Sequence, residues 1–273
     1  MYERPHWDRP MLKDYAKGSL KNFYWKAVLA SLIVSILTGA GLNTGSNSGV
    51  KVEQEFSNNT LQNPAFTVND VPVTLEEFLF PGNPSDAEIF GIVGLIFLVV
   101  ALVALVIGSV YSIFIANPLT VGHNRFYLDS RFAPTDIGRI FSGFTGGNYG
   151  NVVKTMFLKS LYEFGWSLLF IIPGIIKGYE YAMVPYILAE NPDISSERAF
   201  ELSKEMMNGR KWDLFVLDLS FFGWSLLASI VVIGHIFLNP YINATHAEVY
   251  LWLRYDALHN GYAQPSELNG LIA

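Results

Sequence analysis

Ionisable side chains embedded in long apolar stretches are costly, so each marks a place where the chain has a use for charge. Lys159 and Glu163 lie four residues apart inside "VVKTMFLKSLYEFGWSLLFII", a spacing that puts both on one helix face. Lys177 and Glu180 follow shortly after Pro173 and Gly174, Asp218 stands in the apolar run from Trp212 to Ile233, and His246 and Glu248 share the last apolar run. Converging on a water-filled cavity, such groups would form a proton or ion pathway, with Glu163, Asp218 and Glu248 as its strongest members. Turned toward one another, they are internal ion pairs, with Lys159 and Lys177 able to snorkel to helix ends. The pattern favours pairing over conduction.

A second arrangement recurs. "NPLTVGHNRFYLDSR" and "NPYINATHAEVYLWLR" both open on Asn-Pro and continue as His-x-x-x-Tyr-x-x-x-Arg. His123, Tyr127 and Arg131 form one trio and His246, Tyr250 and Arg254 the other, each on a single helix face. Two readings stand together: a face that binds anionic lipid headgroups, or aromatic and basic anchors that set helix depth. The apolar run between them has the tyrosine (Tyr186, after Pro185) without the histidine or arginine. Five scattered histidines and no cysteine give no metal-ligand spacing, disulfide framework or thiolate nucleophile. Without a nucleotide-binding or nucleophile-elbow motif either, the expectation is no catalytic residue, no metal and no cofactor.

The elements that hold these residues are helices. Of 273 residues, 51% are hydrophobic and 15% charged, and mean hydropathy is +0.30. A soluble domain carries about a quarter charged residues. Ile89 to Ala116 contains 28 residues without a charge, enough to cross a hydrocarbon core of roughly 30 Å. The reading is an all-α, polytopic membrane bundle. Its six spans run from Phe23 to Leu42, Ile89 to Pro118, Val152 to Ile172, Ile175 to Glu190, Trp212 to Ile233 and Ile236 to Leu253. Pro173 and Gly174 supply a tight reversal between the third and fourth, since one kinked helix there would far exceed bilayer thickness.

Basic residues orient the spans. Arg4, Arg9, Lys13, Lys17, Lys21 and Lys26 precede the first, whereas residues 43–88 carry Lys51 alone against seven acids. Later connections are basic again (Arg125, Arg131, Arg139; Arg198, Lys204, Arg210, Lys211). By the positive-inside rule both termini are cytoplasmic. Residues 1–22 are then a cytoplasmic lead-in, 43–88 an outer loop, 119–151 and 191–211 inner connections, and 254–273 an inner tail of one membrane domain. The outer loop holds a capping-box pattern at Thr74 and Glu77 and a sequon at Asn58.

"FGWSLL" occurs twice, at Phe164–Leu169 and Phe222–Leu227. With the repeated trios, it predicts duplication: three hairpins, each with an interfacial lead-in helix. Small residues around Trp166 and Trp224 would permit close helix approach, with each indole filling a neighbouring groove. The lead-in "SSERAFELSKEMMNGRKW" has Ser195 as its N-cap, an apolar stripe of Phe200, Met206 and Met207, and Gly209 as its stop, and is expected on the inner membrane face. In the first lead-in Leu12, Tyr15, Ala16 and Phe23 share a face.

"AKGSLKNFYWKA", "IIPGIIKGYEYAMVPYILAENPDISSERAFELSKEMMNGRKWDLFVLDLSFFGWSLL" and "PYINATHAEVYLWLR" resemble the bacterial multi-pass membrane family known as domain of unknown function 975. The resemblance implies six spans and no established activity, so it assigns no catalytic residue.

Function follows only in outline. The leading expectation is a non-enzymatic scaffold, accessory or regulatory subunit of the cell membrane. It would meet membrane lipids and a protein partner at its cytoplasmic face, and no nucleic acid. The alternative is a small transporter or lipid-handling protein using the buried acids between repeated hairpins.

Overall fold

The computed structural model describes residues 7–38, 66–68, 71–73, 86–145, 147–230 and 234–271. The chain divides into two units, residues 46–110 and a larger one formed by residues 1–45 and 111–273. In the smaller, strands β1 (Phe66–Val68) and β2 (Val71–Val73) pair antiparallel, with Thr67 opposite Pro72. This short pairing departs from the all-α expectation, and its β-branched residues suit a pleated strand. The sequon at Asn58 and the capping box at Thr74 and Glu77 lie outside the described residues. Helix α1 covers Arg9–Thr38 and helix α2 covers Asp86–Tyr111, whose apolar side chains from Leu95 to Val110 are exposed.

Everything described in the larger unit beyond α1 is turn or helix. A π-helical turn (Ser112–Ala116) leads into α3 (Asn117–Phe132), then a 3-10 helix (Ile137–Phe144). There follow α4 (Tyr149–Leu169), α5 (Ile171–Glu180), α6 (Val184–Glu190), α7 (Ser196–Met207), α8 (Lys211–Ile230) and α9 (Gly234–His259). Three helical runs are long and apolar enough to cross a membrane: Arg9–Thr38, Gly91–Phe132 and Lys211–Ile230. Of the other expected spans, α4 is diluted by Lys154, Lys159 and Glu163 and α9 by Asn239, Asn243, His246 and Glu248, and the fourth is broken between α5 and α6 at Tyr181–Met183.

Side chains pair these helices antiparallel. Ser31 and Phe23 of α1 meet His123 and Phe126 of α3, so the later α1 residue meets the earlier α3 residue. Gly174 lies against Ser167, and Tyr181 meets Tyr162, which folds α5 back along α4. Phe221 meets Tyr241 and Asp218 meets His246, which folds α9 along α8.

The turn between α4 and α5 differs from the expected one. The chain reverses at Phe170, which is extended (φ −157°, ψ 141°), and Pro173 sits in the first turn of α5. Proline is at home there because the first N–H groups of a helix have no internal acceptor. Gly174 serves close approach rather than the turn itself: a Cβ at this position would lie 2.8 Å from Ser167 Cα.

The lead-ins follow the sequence in part. Phe23 leaves helical geometry (φ −138°, ψ 18°), breaking α1 where the first span was expected to begin. Leu12, Ala16, Leu20 and Phe23 are buried, while Tyr15 is exposed. Helix α7 starts as expected, with the Ser195 hydroxyl accepting from Arg198 N at 3.3 Å, and its exit passes through Gly209 at φ +76°. Its apolar stripe does not face a membrane surface, however. Phe200, Met206 and Met207 are buried in the protein core, and Phe200 packs edge-on against Tyr181. The stripe is covered by protein because α5 and α6 arrive directly over it.

Candidate functional site

The functional candidates reduce to where the span charges go. Glu190 ends α6, and its side chain is fully buried. Arg254 Nε donates to its two carboxylate oxygens at 2.9 and 3.0 Å, and the Tyr250 hydroxyl donates to Oε2 at 2.8 Å. A buried carboxylate needs this density of donors to offset the loss of water. Tyr250 also stacks on Tyr186, ring centres 5.4 Å apart.

The other charges pair in the same manner. Arg131 of α3 meets Glu248 of α9 at 2.7 Å, with Ser19 of α1 donating to the same carboxylate at 3.2 Å. Glu180 binds Lys177 at 2.7 Å and Lys211 at 2.5 Å. Lys159 and Glu163 pair along α4 at 2.7 Å.

Both trios turn inward. His123 and Tyr127 are buried against Ser31, whose hydroxyl lies 3.3 and 2.7 Å from them, and Tyr250 is fully buried. An outward headgroup-binding or anchoring face is therefore not what His123, Tyr127 and Tyr250 form: their faces are consumed by helix packing. Arg131 and Arg254 are committed to carboxylates.

The tryptophans go the other way. Trp166 and Trp224 are exposed, and nothing approaches the Cα hydrogens of Gly165 or Gly223 closely enough to obstruct a methyl group. In the first copy of the hexamer the close approach is made by its serine, Ser167 against Gly174, and not by Gly165 or by the indole. Lys177 Nζ lies 5.5 Å from the Trp166 ring centre, within cation–π range.

One cluster opens onto a cavity. His246 Nε2 lies 2.7 Å from Asp218 Oδ1, and the Tyr179 hydroxyl donates to Oδ2 at 3.0 Å. These three line a cavity of about 290 Å³ with Ile175, Met183 and Leu214. A carboxylate bridging a phenol and an imidazole can hold a proton or accept from a bound donor, in a chamber whose remaining wall is mostly apolar. Among the described residues no three His, Asp or Glu side chains gather as metal ligands.

Several participants escaped the sequence pattern. Glu190 reads as a helix boundary, yet it is the buried acceptor. Its signal was present: it follows Tyr186 by four, where Arg131 follows Tyr127 and Arg254 follows Tyr250. Tyr179 gave no spacing cue. Arg125 donates to the carbonyls of Ala189, Glu190 and Gly270, and Arg254 to Leu268, so the tail is bound through its backbone. Gly270 packs so tightly on the Glu190 carbonyl that a Cβ would collide with it. Arg198 completes the attachment through Glu267 at 2.7 Å and the Tyr262 carbonyl.

No curated protein and no solved structure matches the chain. Residues 7–256 match the family described as "protein of unknown function (DUF975)", a match that takes in both trios, the Asp218 cavity and Glu190. On that match the chain belongs to the DUF975 family.

Proposed function

We propose that the protein is a six-span scaffold or accessory subunit of the cell membrane, with both termini cytoplasmic, that presents its inner face to a protein partner. The observation carrying this reading is the consumption of the span charges. Arg131–Glu248 joins the first hairpin to the third, Arg254–Glu190 the third to the second, and Lys211–Glu180 the third to the second again. Conduction needs ionisable groups that can exchange partners along water, whereas these lock hairpins together. A span beyond the three finds support in the antiparallel pairing: α9, folded back along the spanning α8, returns across the same thickness. The tip of the α4–α5 pair also exposes Leu168, Leu169, Phe170, Ile171 and Ile172, a patch suited to lipid and costly in water.

Extraction in native lipid particles followed by mass spectrometry tests the role. A stoichiometric protein partner supports the scaffold, and particles holding the protein alone count against it. A second reading, handling of a small amphiphile, is favoured by the Asp218–His246–Tyr179 cavity, where a carboxylate faces apolar walls. Loss of a co-purifying amphiphile on Asp218→Asn is the result that would promote it.

A further inference from the structure

Lys13, Lys17 and Lys21 repeat every four residues along α1 and therefore share one helix face. Lys13 is occupied, donating to Ser220 at 2.6 Å with its ammonium 4.3 Å from the Phe221 ring centre. Lys17 and Lys21 instead border a groove of about 480 Å³ between α1 and α9, floored and walled by Leu20, Tyr24, Phe237 and Tyr241. Lys17 lies 3.5 Å from Asp14, a well-exposed pair of little strength, and 5.9 Å from the Tyr241 ring centre. Lys21 has no ion-pair partner among the described residues.

The groove has a direction. Down α1 it passes from Lys17 through Leu20 to Tyr24, and antiparallel along α9 from Tyr241 to Phe237. Its basic end thus lies on the lead-in side of the Phe23 break, and its apolar end, closed by the Tyr24 hydroxyl donating to the Phe237 carbonyl at 3.4 Å, lies on the span side. Ammonium groups at one end of an apolar channel match a phosphate followed by an acyl chain.

From this complementarity we infer that the groove is a binding site for an anionic glycerophospholipid, its phosphate between Lys17 and Lys21 and one acyl chain along Leu20 and Phe237. The site rests on the membrane reading and is independent of the scaffold role.

The test compares retention of phosphatidylglycerol by the purified full chain in nanodiscs containing phosphatidylcholine and phosphatidylglycerol, read by native mass spectrometry. Each surface lysine contributes on the order of a fivefold preference for an anionic lipid, so K17Q with K21Q lowers retention roughly 30-fold. K17R with K21R retains the lipid, and K154Q with K204Q, lysines bordering a separate groove between α4 and α7, leaves retention unchanged. Unchanged retention in the K17Q/K21Q protein, or equal loss in both glutamine pairs, overturns the site alone. A protein recovered from cells outside the membrane fraction overturns the membrane reading and the site with it.

Discussion

Arg254 and Glu190 meet at 2.9 Å with the Glu190 side chain fully buried, and they stand at equivalent places in two repeats of one pattern. Where the first and third hairpins carry arginine four residues after a tyrosine, the second carries glutamate. Arginine at all three positions would bring like charges together. Glutamate at the second position makes a complementary pair with Arg254, and Tyr250 stacks on Tyr186 beside it.

Breaking that pair is therefore expensive. Glu190→Gln leaves the Arg254 guanidinium without its counter-charge, for an expected loss of about 3–5 kcal/mol. Removing both, as Glu190→Leu with Arg254→Met, costs less than the single change because no uncompensated charge remains. Unfolding in one detergent, followed for Glu190→Leu, Arg254→Met and the double, gives the coupling.

Arg131–Glu248 is the weaker link, since the arginine side chain is 38% exposed. Arg131→Gln is expected to cost about 1 kcal/mol, nearer the range of exposed pairs. The same unfolding series ranks the two bridges, with the larger loss at Glu190.

Glycine substitutions separate close approach from ornament in the α4–α5 pair. Gly174→Leu forces atoms into Ser167 and is expected to destabilise by about 1–3 kcal/mol. Gly165→Ala, into open space on a helix, is expected to be neutral or to gain up to about 1 kcal/mol. Thermal denaturation of the two variants beside the parent measures both.

Tail docking should be acid-labile. Hydrogen bonding from Arg198 holds the Glu267 carboxyl below its ordinary value. Its contribution is complete above the ordinary carboxylate range and falls away as pH drops through the lowered value, when the docked carboxylate takes up a proton. Hydrogen-exchange protection across residues 260–271, taken relative to the intrinsic rate at each pH, is expected to be high at neutral pH and to fall below about pH 4. Arg198→Gln should show fast exchange at neutral pH already.

Much of the frame was legible because it depends on local rules. The Ser195 cap and the Phe200–Met206–Met207 stripe follow from residue type and helical period, and the first span was expected to start at Phe23, where α1 breaks. What covers a face is not local. The α7 stripe was expected on the inner membrane face and the two trios as headgroup-binding or anchoring faces, and only the arrival of α5, α6 and α1 decides for protein. Trp166 read as an interior filler because tryptophan suits both a groove and a lipid boundary. The Glu190 centre stayed hidden for a different reason: the arginines around it, Arg254 and Arg125, also donate to the Leu268 and Gly270 carbonyls of the tail, contacts that no side-chain pattern encodes.

Because the chain contains no cysteine, a single introduced thiol reports on one position alone. Phe170, exposed at the turn between α4 and α5, decides whether that pair crosses the membrane or enters and returns. With Phe170→Cys in intact cells, and Tyr255→Cys as the inner control, the account predicts that a membrane-impermeant maleimide labels position 170 and leaves 255 untouched. Labelling at 170 that appears only after the membrane is opened would contradict six spans and reduce the second hairpin to one entering from the cytoplasmic side.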